Sequence, residues 1–366
     1  MAKMILILGG TGGAGLPTAR LLLAETDAQL VLAGRNREKG ERVAAELNAQ
    51  FPGDRVTWRA ADATDPAGLE SAFAGMDLVV ICSPNSPQAP AIARAALAAG
   101  ADYLDIFFPT SVVDALRPLA PEIERAGRRF ITQGGCHPGL VAPLVRFAAT
   151  RIARPRRATV GMAIRTPYIG SVESVAELLA DIRGYRMDIY RDGHWRAGGY
   201  KDARKIDLGP GFGVLPCYPM YLEELRPLPE ELGLDELGLY AAGFNWFVDY
   251  VVFMLAYLFG SIRKGLGARM LARLMIWGMA KFSKPPFGMV FIARTEGERD
   301  GAPCAVEVSV RHADGYALTA IPVVACILQY LDGAIRPGLS LMGNAVEPTH
   351  LVRDIERMGV EVRVCE

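Results

Sequence analysis

The stretch that most constrains this chain is Met4-Ile5-Leu6-Ile7-Leu8, running straight into Gly9-Gly10-Thr11-Gly12-Gly13-Ala14-Gly15. Five consecutive apolar residues predict a strand buried on both faces, the signature of a central strand in a parallel sheet. The glycines predict a tight turn, and residues 16–24 a helix. Gly10, Gly12 and Gly15 fit G-x-G-x-x-G, while Gly9, Gly12 and Gly15 fit G-x-x-G-x-x-G. Strand, glycine turn and helix in that order build a cradle for a dinucleotide's phosphates. Free N–H groups and the positive end of the helix dipole both face the turn. The glycine motif alone is weak; its place between a buried strand and a helix makes it specific.

Further strands are expected at residues 29–33, 55–61, 77–82, 103–106 and 129–132, with helices at 87–99 and 112–126. This short-period alternation predicts an α/β fold, a doubly wound parallel sheet of Rossmann type. The second strand ends at Gly34-Arg35-Asn36-Arg37, with Arg35 20 positions past Gly15. An acid there would hold the ribose hydroxyl of NAD, whereas arginine suits the 2′-phosphate of NADP. Arg35, Asn36 and Arg37 therefore point to NADP; the alternative is that Arg35 stacks on adenine and Arg37 faces solvent. Asp62 is placed to accept the adenine amino group, or to cap the following helix. Ser83, Pro84 and Asn85 follow the fourth strand at the carboxyl edge, where open sheets bind ligands, and are expected to border the nicotinamide ribose.

The 366 residues suit about two domains. Forty basic residues balance forty acidic ones, so nothing points to a nucleic-acid partner. Six scattered cysteines with no C-x-x-C pair suit a reduced, cytoplasmic chain and argue against structural zinc. With three residues ahead of the first strand, no signal peptide is expected.

The loop Gln133-Gly134-Gly135-Cys136-His137-Pro138-Gly139-Leu140 follows the sixth strand. His137 is the candidate proton donor or substrate hydrogen-bond partner, the alternative being a structural loop histidine. Cys136 is a candidate substrate contact. It is not expected to be a nucleophile, because neighbours in sequence rarely converge on one atom.

Here the chain resembles the saccharopine dehydrogenase and saccharopine reductase-like family of oxidoreductases. The likeness is carried by the glycine turn, Gly34-Arg35-Asn36, Ala99-Gly100-Ala101-Asp102-Tyr103-Leu104-Asp105 and Gly135-Cys136-His137-Pro138-Gly139-Leu140. Farther on, Gly315-Tyr316-Ala317-Leu318-Thr319-Ala320 and residues 338–346 add to it. The resemblance implies a Rossmann domain interrupted by an α+β substrate domain, with a later segment returning to the first. The expected boundaries are 1–145, 146–315 and 316–366. It also implies hydride transfer between NADP(H) and a C=N bond, although some relatives act on lipid precursors. His137 stands where the family's loop usually carries an acid.

In the middle, Arg151, Arg154, Arg156 and Arg157 suggest a solvated linker. A strand at 159–165, a helix at 173–182 and a hairpin at 187–197 precede a glycine-rich loop, 198–213. The resemblance implies a sheet covering the nicotinamide, which makes Arg165, Tyr168, His194, Lys201 and Glu223 first-pass candidates for substrate contact, the alternative for each being a structural role. No lysine lies four residues after a tyrosine, so the Tyr-x-x-x-Lys acid of short-chain reductases is not expected.

Residues 244–291 change character. Residues 250–262 carry no charge, and seven basic but no acidic residues follow before Glu296. Leu266, Met270, Leu274 and Trp277 recur at helical spacing. Two readings stand: a helical pair buried in a core or homodimer interface, or a peripheral contact with an anionic membrane. Beyond it, a strand at 304–310, a helix capped by Thr319, a helix from Pro348 and a strand at 360–364 are expected. The sequence thus predicts an NADP(H)-dependent oxidoreductase, and the family resemblance implies a small-molecule imine as its substrate. A membrane-surface reductase of a lipid-like substrate and a non-catalytic NADP(H)-binding protein are the alternatives.

Overall fold

The structure, a computed structural model, describes residues 2–168 and 170–366. The chain divides into two compact units. Residues up to Leu140 with Tyr316–Met358 form the first, and Val141–Gly315 with Gly359–Glu366 the second.

The first unit is built on β1 (Met4–Leu8), β2 (Gln29–Gly34), β3 (Val56–Ala60), β4 (Leu78–Ile81), β5 (Asp102–Asp105) and β6 (Arg129–Thr132). Gly338–Leu341 pairs with β6 as a seventh strand. The order is Gly338–Leu341, β6, β5, β4, β1, β2, β3, and every pairing is parallel. Strands are added to one side of β1 and then to the other, so the order reverses between β1 and β4. Ile5, Leu6 and Ile7 are fully buried, each side chain contributing about 1.5–3 kcal/mol through its burial. The helix α1 (Gly15–Glu25) covers the expected 16–24, and α2 (Arg37–Gln50) follows β2.

Two helices of this unit differ from expectation. Residues 110–125 are not one helix but Thr110–Leu116, a tight turn at Arg117–Leu119 and Ala120–Arg125; Pro118 and Pro121 lack the N–H groups a continuous helix needs. Thr319 is not an N-cap, because the helix Gly315–Leu331 starts four residues earlier and carries Pro322 inside it. That helix is buried nearly all round, and packing there outweighs the cost of the proline.

The second unit is a mixed sheet of β7 (Arg154–Arg165), β8 (Ile189–Arg191), β9 (His194–Arg196), β10 (Arg204–Asp207), β11 (Val214–Met220), β12 (Glu236–Ala242), β13 (Gly288–Arg299) and β14 (Ala302–His312). Its main path runs β10, β11, β12, β7, β13, β14, Glu361–Cys365. Three expectations are corrected here. The arginines at 151–157 are not a solvated linker: β7 starts at Arg154, and Arg156 and Arg157 pair with Asp235 and Glu236 at 3.4 and 4.0 Å. The loop 198–213 contains β10. Residues 361–365 do not return to the first unit, since they pair antiparallel with β14.

The 244–291 segment forms a π-type turn, Val248–Val252, leading into the helix Phe253–Ile262, and then the helix Ala268–Phe282. One face packs with the helix Val172–Ala180 around Val175, Val252, Leu271 and Met275. The reading as a core element therefore holds for that face alone. Among the described residues, no helix is long and apolar enough to cross a membrane.

Candidate nucleotide and active site

The parallel sheet of the first unit brings its strand ends to one edge. At the end of β1, Gly9 adopts φ 84°, and its N–H donates to the Ala33 carbonyl at 2.8 Å. The chain turns back so tightly that a Cβ on Gly15 would strike the Gly9 carbonyl oxygen. That approach admits only glycine. The helix α1 then starts with no side-chain cap at Ala14 and no acid in its first turn. Nothing in its own sequence neutralises the positive end of its dipole.

Next to this turn, across the point where strand order reverses, β4 delivers Ser83. A Cβ on Gly9 would lie 3.0 Å from the Ser83 nitrogen and Cβ, so the two loops are in contact. The Ser83 hydroxyl oxygen is buried with no hydrogen-bond partner among the described residues. A buried hydroxyl without a partner is costly, and here it lies beside the glycine turn. The cradle and this hydroxyl together fit a dinucleotide. Thr11, Gly12 and Gly13 complete the turn, and Pro84 and Asn85 the neighbouring loop.

Of the residues expected to choose the cofactor, Arg35 is exposed at the end of β2, while Asn36 and Arg37 have local roles. The Asn36 side chain caps α2 by accepting from the Lys39 N–H at 2.9 Å, and Arg37 lies 3.4 Å from Glu41. Asp62 accepts from the Thr64 N–H at 2.9 Å and its hydroxyl at 2.8 Å. Those bonds, with the Arg35 charge nearby, hold its carboxyl below the usual range. Arg35 and Asp62 follow the adjacent strands β2 and β3, close enough for the Arg35 charge to act on the carboxylate.

The sixth strand leads into the Cys136–His137 loop, and the loop is tied down by Asp105 at the end of β5. Asp105 is fully buried; its Oδ1 accepts the N–H groups of Phe107 and Gln133, each at 3.0 Å. Burial pushes its carboxyl up to about 6 against those bonds. Gln133 sits at φ 59°, a conformation this pinning maintains. Cys136 and His137 do meet, contrary to expectation, with Sγ and Nδ1 3.2 Å apart. Thr319 Oγ1 lies 3.8 Å from the same sulfur. The Phe108 ring stands edge-on to the imidazole at 6.1 Å. Loss of solvation pushes the His137 pKa down to about 4, so the ring is neutral at physiological pH.

Sequence reasoning missed Tyr316 and Asp105. The Tyr316 ring fills the space where a Cβ on Gly13 would project, placing a residue from beyond the second unit against the glycine turn. Its segment carried part of the family likeness, but no local pattern places it there. Asp105 had a visible signal, an acid closing an otherwise apolar strand.

The expected substrate contacts of the second unit are not gathered in one place. Arg165 donates to the Gly211 carbonyl at 3.1 Å and lies over Phe212, just past β10's last residue. Lys201 precedes the other end of β10, where Arg204 pairs with Cys217. Tyr168 is exposed in a turn held by Thr166. His194 closes the β8–β9 turn on the Asp192 carbonyl, and Glu223 accepts from the Tyr221 hydroxyl at 2.9 Å.

With this geometry in place, comparison with known proteins is decisive for the first unit. Residues 5–131 match the family model described as the saccharopine dehydrogenase NADP binding domain. The nucleotide-binding unit is of the saccharopine dehydrogenase type. Its cofactor is NADP. Among solved structures, apo saccharopine dehydrogenase (L-Glu forming) from Saccharomyces cerevisiae matches over 100% of both chains. The TM-score is 0.69 at 16% identity, a shared fold across the whole length. Oxidoreductase calI from Penicillium decumbens is 48% identical over 50 residues, and the match spans 14% of that protein's length.

Proposed function

We propose that this saccharopine dehydrogenase-like chain is an NADP(H)-dependent oxidoreductase that transfers hydride to or from a C=N bond. The observation that carries this reading is a neutral imidazole on the same sheet edge as the NADP cradle. Bound NADP(H) supplies or takes up the hydride; the chain supplies placement and electrostatics. The Gly9–Gly15 turn and α1 hold the phosphates, Arg35 the 2′-phosphate, and Ser83 a ribose hydroxyl.

At the reacting end, His137 has little to offer as an imidazolium acid, because its charged form is disfavoured. A carbonyl or enone substrate needs a proton delivered as the hydride arrives. An iminium already carries that proton. It needs only a hydrogen-bonding group that keeps its orientation, and a neutral imidazole in contact with Cys136 Sγ meets that need. Asp105 acts as a positioning residue by fixing the backbone on which both side chains stand.

The test is NADPH consumption by the whole chain with an amine, a keto acid, and the two together. Turnover with the mixture and with neither component alone is expected. Equal turnover with the keto acid alone, or turnover only with an unsaturated lipid precursor, overturns the imine assignment.

A further inference from the structure

The outer face of the 244–291 segment is unlike the rest of the surface. Among the described residues, ten of the fifteen large apolar side chains that stand exposed fall between Trp246 and Phe287, each 40–76% exposed. They are ordered. Val248, Val252 and Ala256 point into the core at every fourth residue, and Trp246, Tyr250, Met254, Leu258 and Ile262 recur at the same interval on the opposite side. On the helix Ala268–Phe282 the exposed large apolar residues are Met270 and Trp277, with Leu266 in the turn before it.

The two stripes are joined at both ends. Ile262 and Leu266 flank a short turn. At the other end Trp246 and Trp277 pack on the same Phe282 ring, with centroids at 5.0 and 5.5 Å. The result is one continuous apolar surface with two half-exposed indoles at one end. Exposed patches of this kind mark interaction sites, and indoles prefer the boundary between hydrocarbon and water.

The charge pattern identifies what the surface meets. Residues 250–295 contain no acid. Two of the cations have partners, Lys264 on Asp181 and Arg269 on Glu173, and Asp249 is occupied by the Phe244 N–H. Arg263, Arg273, Lys281 and Lys284 are exposed. None of these four has an ion-pair partner among the described residues. Apolar stripes bordered by free cations suit an interfacial helix pair on anionic headgroups. A two-fold contact with a second copy would bring the same patch against itself, setting free cations against free cations with no acid to answer them.

We infer that this helix pair docks the protein on the surface of an anionic lipid bilayer, without crossing it. The aromatic and aliphatic stripes enter the headgroup boundary, and the four cations meet lipid phosphates. The inference stands apart from the hydride-transfer reading, since every residue it uses lies outside the proposed site.

The test is co-flotation of the full chain with phosphatidylglycerol vesicles and with phosphatidylcholine vesicles, at low and high salt. Strong binding to the anionic vesicles at low salt, lost at high salt, is expected. The triple variant Arg273→Gln, Lys281→Gln, Lys284→Gln is expected to lower partitioning about 100-fold while still binding NADPH. Brominated lipid is expected to quench tryptophan emission in the native chain and not in the Trp246→Phe, Trp277→Phe variant. Absence of anionic-vesicle binding at low salt, or equal binding by the triple variant, overturns the inference. So does a dimer in sedimentation equilibrium that Tyr250→Lys dissociates, where vesicles are not bound.

Discussion

The His137→Asn variant tests the reasoning about the reacting end most sharply. In the unfolded chain His137 titrates near 6.5, and in the fold burial lowers this to about 4. Between these values the unfolded chain holds a proton that the native fold does not, so native stability is lost as pH falls from about 6.5 to about 4. At 1.36 kcal/mol per pH unit the loss from His137 is about 3 kcal/mol. Asp105 works in the opposite sense. Its carboxyl rises from 3.8 to about 6 in the fold, so it adds stability as pH falls through that window. The two nearly cancel in the native protein, and asparagine removes only the histidine part. The difference in unfolding free energy between native chain and variant should therefore shrink by about 3 kcal/mol from pH 7 to pH 4, as read from urea unfolding at each pH. Proton NMR gives a direct check. Of the four histidines, the resonance missing from the variant should stay unshifted down to pH 5. A stability difference that does not vary with pH, or a His137 resonance moving near pH 6.5, refutes the neutral imidazole and the role built on it.

Arg35→Ala should weaken NADPH binding about tenfold and leave NADH within twofold. A charge-assisted bond to phosphate is worth about 1.5–3 kcal/mol, and exposure places Arg35 at the low end; equal losses for both nucleotides in fluorescence titration would remove it from the 2′-phosphate. Ser83→Ala should raise the melting temperature of the cofactor-free protein slightly, by removing an unpartnered buried hydroxyl, and lower NADPH affinity. A fall in that melting temperature would show the hydroxyl already satisfied. Gly15→Ala should cost about 1–3 kcal/mol and abolish NADPH binding, since its Cβ meets backbone that has no room to move; a variant that binds NADPH normally contradicts the cradle geometry.

Much of this was legible in the sequence because the deciding interactions are local. The Gly9–Gly15 turn lies between a buried strand and a helix within about twenty residues, and Arg35 follows from the spacing to the second strand's end. The same holds for Ser83, which is fixed by where β4 stops. What the sequence hid depends on distant partners. Tyr316 reaches Gly13 only because the chain makes a long excursion and returns. The Cys136–His137 contact needs a loop pinned by Asp105, which neither residue's neighbours reveal. β12 and β13 escaped notice because their pairing partner, β7, opens on four residues with three arginines, and its first residues read as solvated linker. In the helical segment, composition exposed an apolar-basic bias, but separating the inward from the outward face needed the packing of the Val172–Ala180 helix.

The pairing of Glu361–Cys365 with β14 has a consequence for how the protein can be made. The chain passes from the first unit to the second, back to the first, and then to the second again. During synthesis the parallel sheet lacks Gly338–Leu341 until residues 141–315 of the second unit have emerged, and the second sheet lacks an edge strand until residues 361–365 appear. Each unit thus waits on the other for completion. Cutting the gene at residue 140 or 315 separates neither unit cleanly, and transplanting the NADP-binding half into another protein requires a two-piece graft.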